Sequence, residues 1–318
     1  MTSIYILAVF ICFRLTNGII YVDPGSPYSF PTIQSAIDAV PSNNNQWFEI
    51  SIIQGIFNEK VTIPSDKPFI HLKGEGMGRS MVVWDDSDSI ATSSTISILA
   101  DNTIVSGMTF VNSHNYPPKN YTDSWVWAVA ARISGDKSAF YKCSFLGFQD
   151  TLYDDSGRHY FNDCTIEGAV DFIFGDGQSI YEQCRILING GNTGWITAQG
   201  RVDENSPTGF VFIKCRVTRI SGGGKTFLGR AWKAYSRVIY YKSIISNIIV
   251  PEGWDDWQKD VNQLTYVEHK CRGSGYDTSK RVEWVKKLSP QELLAFTNIS
   301  YIDNEGWIRE LPISVLDQ

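Results

Sequence analysis

The 318 residues lack most of the features that mark common enzyme and binding classes. Histidine occurs four times, which leaves little for a His-rich metal centre. No C-x-x-C pair exists, so zinc-ribbon and thioredoxin-like sites are excluded. Neither a G-x-S-x-G elbow nor an H-E-x-x-H pair is present. Gly224-Lys225-Thr226 resembles the end of a phosphate-binding loop, but Arg219 stands where the first Gly belongs, and the segment reads as a flexible turn. The acidic run Asp85-Asp86-Ser87-Asp88 lacks the Gly and Glu spacing of an EF-hand and reads as a solvated loop. No apolar run is long enough to span a bilayer. Basic residues are the minority, 28 against 34 acidic, for a net charge of −6 and a pI near 5.3. That balance argues against nucleic acid or an anionic membrane as the main partner.

What is abundant is aromatic: 13% of the chain, including ten Trp, a composition suited to a carbohydrate-facing β protein. At the N-terminus, ten apolar residues (4–13, IYILAVFICF) precede Arg14 and Thr16-Asn17-Gly18. This is too short for a membrane span and predicts a signal peptide over 1–18, although the basic n-region is missing. Its removal takes one Arg and no acid, leaving residues 19–318 as one domain at −7. The sequons Asn120-Tyr121-Thr122 and Asn298-Ile299-Ser300 fit a secreted glycoprotein. With Cys12 in the signal, Cys143, Cys164, Cys184, Cys215 and Cys271 remain, an odd number and too few for a disulfide scaffold.

Four of these cysteines share a frame: FYKCSF (140–145), FNDCTI (161–166), YEQCRI (181–186) and FIKCRV (212–217). It continues without Cys in VSGMTF (105–110) and YYKSII (240–245), at intervals of 20 to 35 residues. A period-2 strand recurring at that interval between Gly, Asn and Asp turns predicts a solenoid, most simply a parallel β-helix with a buried ladder of small residues. A β-sandwich would need shorter spacings and hairpin turns. The segment TIQSAIDAV (32–40) places Ile33, Ala36, Ile37 and Val40 on one helical face, ended by Pro41, and suits a helix capping the first coil. Ser289-Pro290-Gln291-Glu292 reads as a capping box opening a helix through Phe296. The expected class is therefore all-β, capped by short helices at both ends.

The chemistry resides in carboxylates. Asp150 ends GFQD (147–150) and Asp171 opens DFIFG (171–175), one repeat later. A coil of that length stacks the two acids on adjacent strands about 4.8 Å apart. Neighbouring carboxylates separate their pKa values into one protonated acid and one ionised nucleophile or base. Arg230 in LGRAW (228–232) supplies a cation to orient one acid, and Gln149 an amide donor for a developing oxyanion. Trp232, Phe174 and Tyr153 suit the stacking wall of a sugar site.

At these residues the sequence resembles plant pectin methylesterases over about residues 21–310. The carrying segments are GIFNEK (55–60), GFQDTL (147–152), DFIFG (171–175), TAQGR (197–201) and LGRAW (228–232). The resemblance implies a right-handed parallel β-helix, no metal and no cofactor, secretion to the cell wall, and hydrolysis of the methyl esters of homogalacturonan. It implies Asp171 as nucleophile, Asp150 as general acid and then base, Arg230 orienting Asp171, and Gln149 in the oxyanion hole. It further implies Thr95 and Trp232 as substrate contacts, a Cys184–Cys215 disulfide, a monomer, and any proteinaceous inhibitor as a separate chain.

One departure matters: where the family has Q-A-V-A-L this chain reads WAVAA (127–131), so Trp127 stands at a substrate-contacting oxyanion-hole Gln. Losing one such donor costs on the order of 3 kcal/mol. A working esterase, weakened or not, is the favoured expectation, and a pectin-binding homologue without turnover is the alternative. A β-helix polygalacturonase is disfavoured, because no Gly precedes any His and the G-H-G segment is absent. The acidic charge further predicts a preference for highly methylated stretches of the polymer.

Overall fold

The computed structural model describes residues 19–118 and 126–313. The expected signal peptide and the Asn120 sequon lie outside the described residues, and the Asn298 sequon is exposed.

Successive coils stack into three parallel sheets, one of ten strands and two of eight. One coil shows the pattern. Ala131–Ile133 joins an eight-stranded sheet that we term the cleft sheet, Ser138–Tyr141 joins the ten-stranded sheet, and Ser144–Leu146 joins the third sheet. The chain then returns through 147–151 to Leu152–Asp154 in the cleft sheet. This is the parallel β-helix that the repeat predicted.

The recurring frame now has a physical reading. Its first residue forms an interior aromatic column, Phe140, Phe161, Tyr181, Phe212 and Tyr240, with successive centroids 4.7, 4.5, 4.6 and 4.6 Å apart. Offset rings at the spacing of parallel strands are stabilised beyond their buried area. The residue before each Cys position turns the corner between two sheets in the left-handed region: Lys142, Asp163, Gln183, Lys214 and Lys242 have φ of 50° to 56°. The strain is offset because each of these N–H groups donates to the carbonyl of the coil above, as Lys142 does to Asn162 at 3.0 Å and Lys214 to Tyr241 at 2.9 Å.

The Cys position needs a small donor. Cys164 Sγ reaches the Phe140 carbonyl at 3.5 Å, Cys184 that of Phe161 at 3.5 Å, and Cys215 that of Tyr181 at 3.2 Å. Ser243 Oγ makes the equivalent bond to Phe212 at 3.2 Å, and Cys271 extends the ladder by bonding the Tyr240 carbonyl. All five cysteines among the described residues are free and buried. The implied Cys184–Cys215 disulfide is therefore corrected, since both thiols are rungs that donate to main-chain carbonyls.

Helix α1 (Ile33–Ala39) forms as expected and closes the first coil, burying Ile33, Ala36 and Ile37. Glu59, of the GIFNEK segment, accepts from the Ile33 and Gln34 N–H groups at 2.8 and 3.0 Å. The Gln34 amide pairs with both main-chain groups of Thr62 on the edge of the cleft sheet, where further strand addition would otherwise occur.

Helix α2 (Pro290–Thr297) also forms, with the Ser289/Glu292 capping box, but it does not close the far end. It lies against the outer face of the ten-stranded sheet, where Leu293, Ile302, Trp307 and Leu311 cover Ile180, Val211, Ile213 and Ile239. Those strands are apolar on both faces, so a cover on the flank removes their outer apolar face from water. The far end is closed by Val282, Trp284 and Val285 packing on the core near Tyr266.

Phe161 sits mid-column with rings on both sides. Phe161→Ala is expected to cost about 3–5 kcal/mol, read as a lower denaturation midpoint; a loss below about 1 kcal/mol would show that the column is not a main source of stability.

Candidate active site

The site lies where the third sheet hands the chain back to the cleft sheet. Trp127, Gln149 and Val170 stack there as isolated parallel bridges, one rung per coil. Asp150 and Asp171 follow Gln149 and Val170 directly, and both are left-handed, with φ of 60° and 47°. Asp150 N–H donates to the Val170 carbonyl at 3.0 Å, which fixes one acid against the coil of the other. Opposite Asp171, Val170 pairs with Trp195 and Ile173 with Thr197, so its strand carries one extra residue. This bulge aims Asp171 outward, while Phe172 stays fully buried. The Gly of DFIFG is required, because a Cβ on Gly175 (φ +125°) would come within 1.9 Å of the Asp154 carbonyl oxygen.

Arg230 descends from the strand Thr226–Ala231, paired with Ala198 on one side and Asp255 on the other. Gly229 permits that approach, because a Cβ there would lie 2.1 Å from Thr197 Oγ1. Arg230 grips Asp171 in two bonds, Nε to Oδ1 at 2.8 Å and an Nη2 to Oδ2 bond. Two indoles cover its guanidinium, Trp195 at 4.1 Å and Trp257 at 3.8 Å from ring centroid to Cζ.

The two acids are nearly equally buried, at 6% and 7% exposure, but unequally partnered. Burial pushes the Asp150 carboxyl up to about 8, the neighbouring Asp171 charge adds to this, and Arg230 offsets only part. Burial raises Asp171 too, but there the guanidinium bonds pull against it. The proton of the pair therefore resides on Asp150, and the negative charge on Asp171.

A cavity of about 210 Å³ connects these groups, lined by Trp127, Gln149, Asp150, Asp171, Phe174, Ala198, Arg230, Trp232, Trp257 and Ile90. Seven of the nine residues expected at the site thus converge on it. Tyr153 does not line it; it stacks behind Phe174 at 4.4 Å and buttresses that ring, which meets Trp232 edge-on. Thr95 is corrected as a substrate contact. Its side chain is fully buried, its hydroxyl donates to the Val111 carbonyl at 2.9 Å, and Ile90 supplies that wall instead. Trp127 is 43% exposed and forms wall rather than plug. Gln149 holds its Oε1 buried without a hydrogen-bond partner among the described residues.

Sequence reasoning missed Trp257, Trp195, Ile90 and Ala198. Ala198 lies within TAQGR, in register with Phe174, but nothing local in the Asp255-Asp256-Trp257 stretch marks its Trp as a site residue.

The raised Asp150 carboxyl makes stability depend on pH. The folded chain holds a proton that the unfolded chain releases between about 4 and about 8. The contribution is therefore complete below about pH 4 and is lost as the pH rises through about 8. Asp150→Asn, which imitates the protonated form, is expected to melt with the wild type near pH 4 and above it near pH 8; a difference constant with pH would contradict the assignment.

Comparison with known proteins identifies the family. The pectinesterase family model matches residues 20–305. "Probable pectinesterase 55" of Arabidopsis thaliana is 50% identical over 324 residues, covering 97% of each chain. "Probable pectinesterase 29" of the same plant is 50% identical over 303 residues, covering 92% of this chain and 90% of the relative. Among solved structures, pectin methylesterase from carrot superposes with a TM-score of 0.85 at 31% identity, over 94% of this chain and 97% of the carrot chain. A pectin methylesterase in complex with a hexasaccharide superposes at 0.76 and 27% identity, over 90% and 97% of the two chains. The chain belongs to the pectinesterase family, whose members are carboxylic ester hydrolases.

Proposed function

We propose that this chain hydrolyses the methyl esters of homogalacturonan as a secreted cell-wall enzyme, releasing methanol and pectate, with residues 19–318 as one catalytic domain. The observation that carries the reading is the asymmetric pair in one cavity, Asp171 held in the Arg230 grip and Asp150 buried beside it without such a grip, its carboxyl pushed up by burial. The solved relative that binds a hexasaccharide supports an oligosaccharide as occupant of the cleft.

In this mechanism an Asp171 oxygen attacks the ester carbonyl carbon, and the tetrahedral oxyanion is met by the Gln149 amide. Collapse expels methanol as Asp150 gives its proton to the departing methoxy oxygen, leaving an anhydride on Asp171. Asp150, now a carboxylate, takes a proton from water as the water attacks the galacturonyl carbonyl. The acid product leaves, Asp171 regains its charge, and Asp150 regains its proton. Phe174 and Trp232 offer the sugar-packing surface, and Trp127 extends it where relatives of this kind have an amide.

Three outcomes test the mechanism. Asp171→Ala should lower methanol release from highly methylated pectin by roughly 10⁴-fold or more. For kcat/KM the basic limb should fall near pH 8, as Asp150 loses its proton in the free enzyme. Trp127→Gln should raise kcat by up to about 10²-fold by restoring one donor. Folded wild type that releases no methanol, with activity gained in Trp127→Gln, would instead identify a pectin-binding homologue whose oxyanion hole has been dismantled.

A further inference from the structure

The grip of Arg230 on Asp171 depends on parts that neither attack nor protonate anything. The guanidinium lies between two indoles, Trp195 and Trp257, at 4.1 and 3.8 Å. Both walls are tied to one carboxylate. Asp255 Oδ2 accepts the Trp195 indole N–H at 2.8 Å, and Asp255 Oδ1 accepts the Trp257 main-chain N–H at 2.8 Å. The second bond holds a residue in the left-handed region, since Trp257 has φ of 44° and Gln258 of 61°. Phe227, from the same strand as Arg230, stacks parallel to Trp195 at 5.8 Å, so that wall is itself packed against a second ring. Asp255 itself is fixed by its strand, in register with Arg230.

We propose that Asp255 is a positioning residue, which holds Trp195 and Trp257 as a clamp that fixes the Arg230 guanidinium in the plane of the Asp171 carboxylate. Two flat faces against the guanidinium leave only its edge free for hydrogen bonding, and that edge meets Asp171. Indoles that exclude water also strengthen the pair, since its attraction grows as the local dielectric falls. The clamp acts on the nucleophile of the esterase reading and rests on that reading for its catalytic meaning.

Asp255 is also a negative charge near Asp171, and this gives the test its direction. The charged groups facing Asp171 are Arg230, Asp150 and Asp255, with the buried Tyr266 phenol behind them held by Ser236. Acting only as a charge, Asp255 raises the Asp171 carboxyl, so neutralising it should lower the titration midpoint of Asp171. Acting as the anchor of the clamp, its loss frees Arg230, and the midpoint should rise.

The experiment is a ¹³C NMR titration of the Asp171 carboxyl, assigned by its disappearance in Asp171→Asn, in the wild type, Asp255→Asn and Trp257→Leu. Methanol release is measured on the same proteins. Asp255→Asn keeps the shape of the side chain but cannot accept both N–H groups as the carboxylate does. Trp257→Leu removes one wall without altering any charge, and it decides the matter should Asp255→Asn fail to fold. The clamp predicts a higher Asp171 midpoint in both variants and a fall in kcat of about ten- to a hundredfold at pH 6. A midpoint that falls or stays in Asp255→Asn, or is unmoved in Trp257→Leu, overturns it. Raised midpoints in a protein that releases no methanol would sink the esterase reading and keep the clamp. An active wild type with a lowered midpoint in Asp255→Asn would do the reverse.

Discussion

Everything in this molecule depends on the in-register stacking of parallel coils. A strand in a stacked sheet sits about 4.8 Å from its neighbour, so whatever occupies one position recurs beside its equivalents. In the interior this yields a column of parallel rings and a ladder of small donors, both favourable. On the cleft sheet the same rule sets one carboxylate against another, which is not. The unfavourable contact is useful because it is uneven. One acid is gripped by a guanidinium that reaches it from two strands away, and the other has no such grip, so a repeated position acquires two protonation states.

Stacking alone would point both acids along regular strands. The bulge at Val170/Ile173 and the left-handed backbone at Asp150 and Asp171 turn them toward the cavity. The scaffold tolerates such geometry because its ordinary corners are also left-handed and are secured by hydrogen bonds to the next coil. A functional residue in a strained conformation is therefore held by the same device that builds each turn. The cluster of indoles around Arg230 extends this logic from backbone to side chain, since one carboxylate secures both surfaces that confine the cation.

Trp127 marks how this chain differs from the resemblance it carries. It occupies a rung directly beside Gln149, so the exchange of an amide for an indole changes the wall of the cavity and leaves the acids and Arg230 in place. On the proposed esterase reading, apolar surface at that wall and an acidic chain would both favour a methylated, uncharged stretch of polymer over an ionised one.

The sequence by itself determined the coil and the acids. The frame around Cys143, Cys164, Cys184 and Cys215 reports a repeat because each rung needs the same aromatic, the same corner and the same small donor. The one-repeat separation of Asp150 and Asp171 followed from that period. Local pattern could not reveal contacts made across coils. Glu59 is a helix-capping residue only because α1 folds back on the first coil, and α2 lies on a flank because the strands beneath it are apolar on both faces. Thr95 turns inward to a main-chain carbonyl, and the Cys184 and Cys215 thiols each satisfy a carbonyl rather than one another. Trp195, Arg230 and Trp257 are distant in sequence and meet only because three strands stack. Periodicity is written along the chain; partnership between rungs is decided by the tertiary structure.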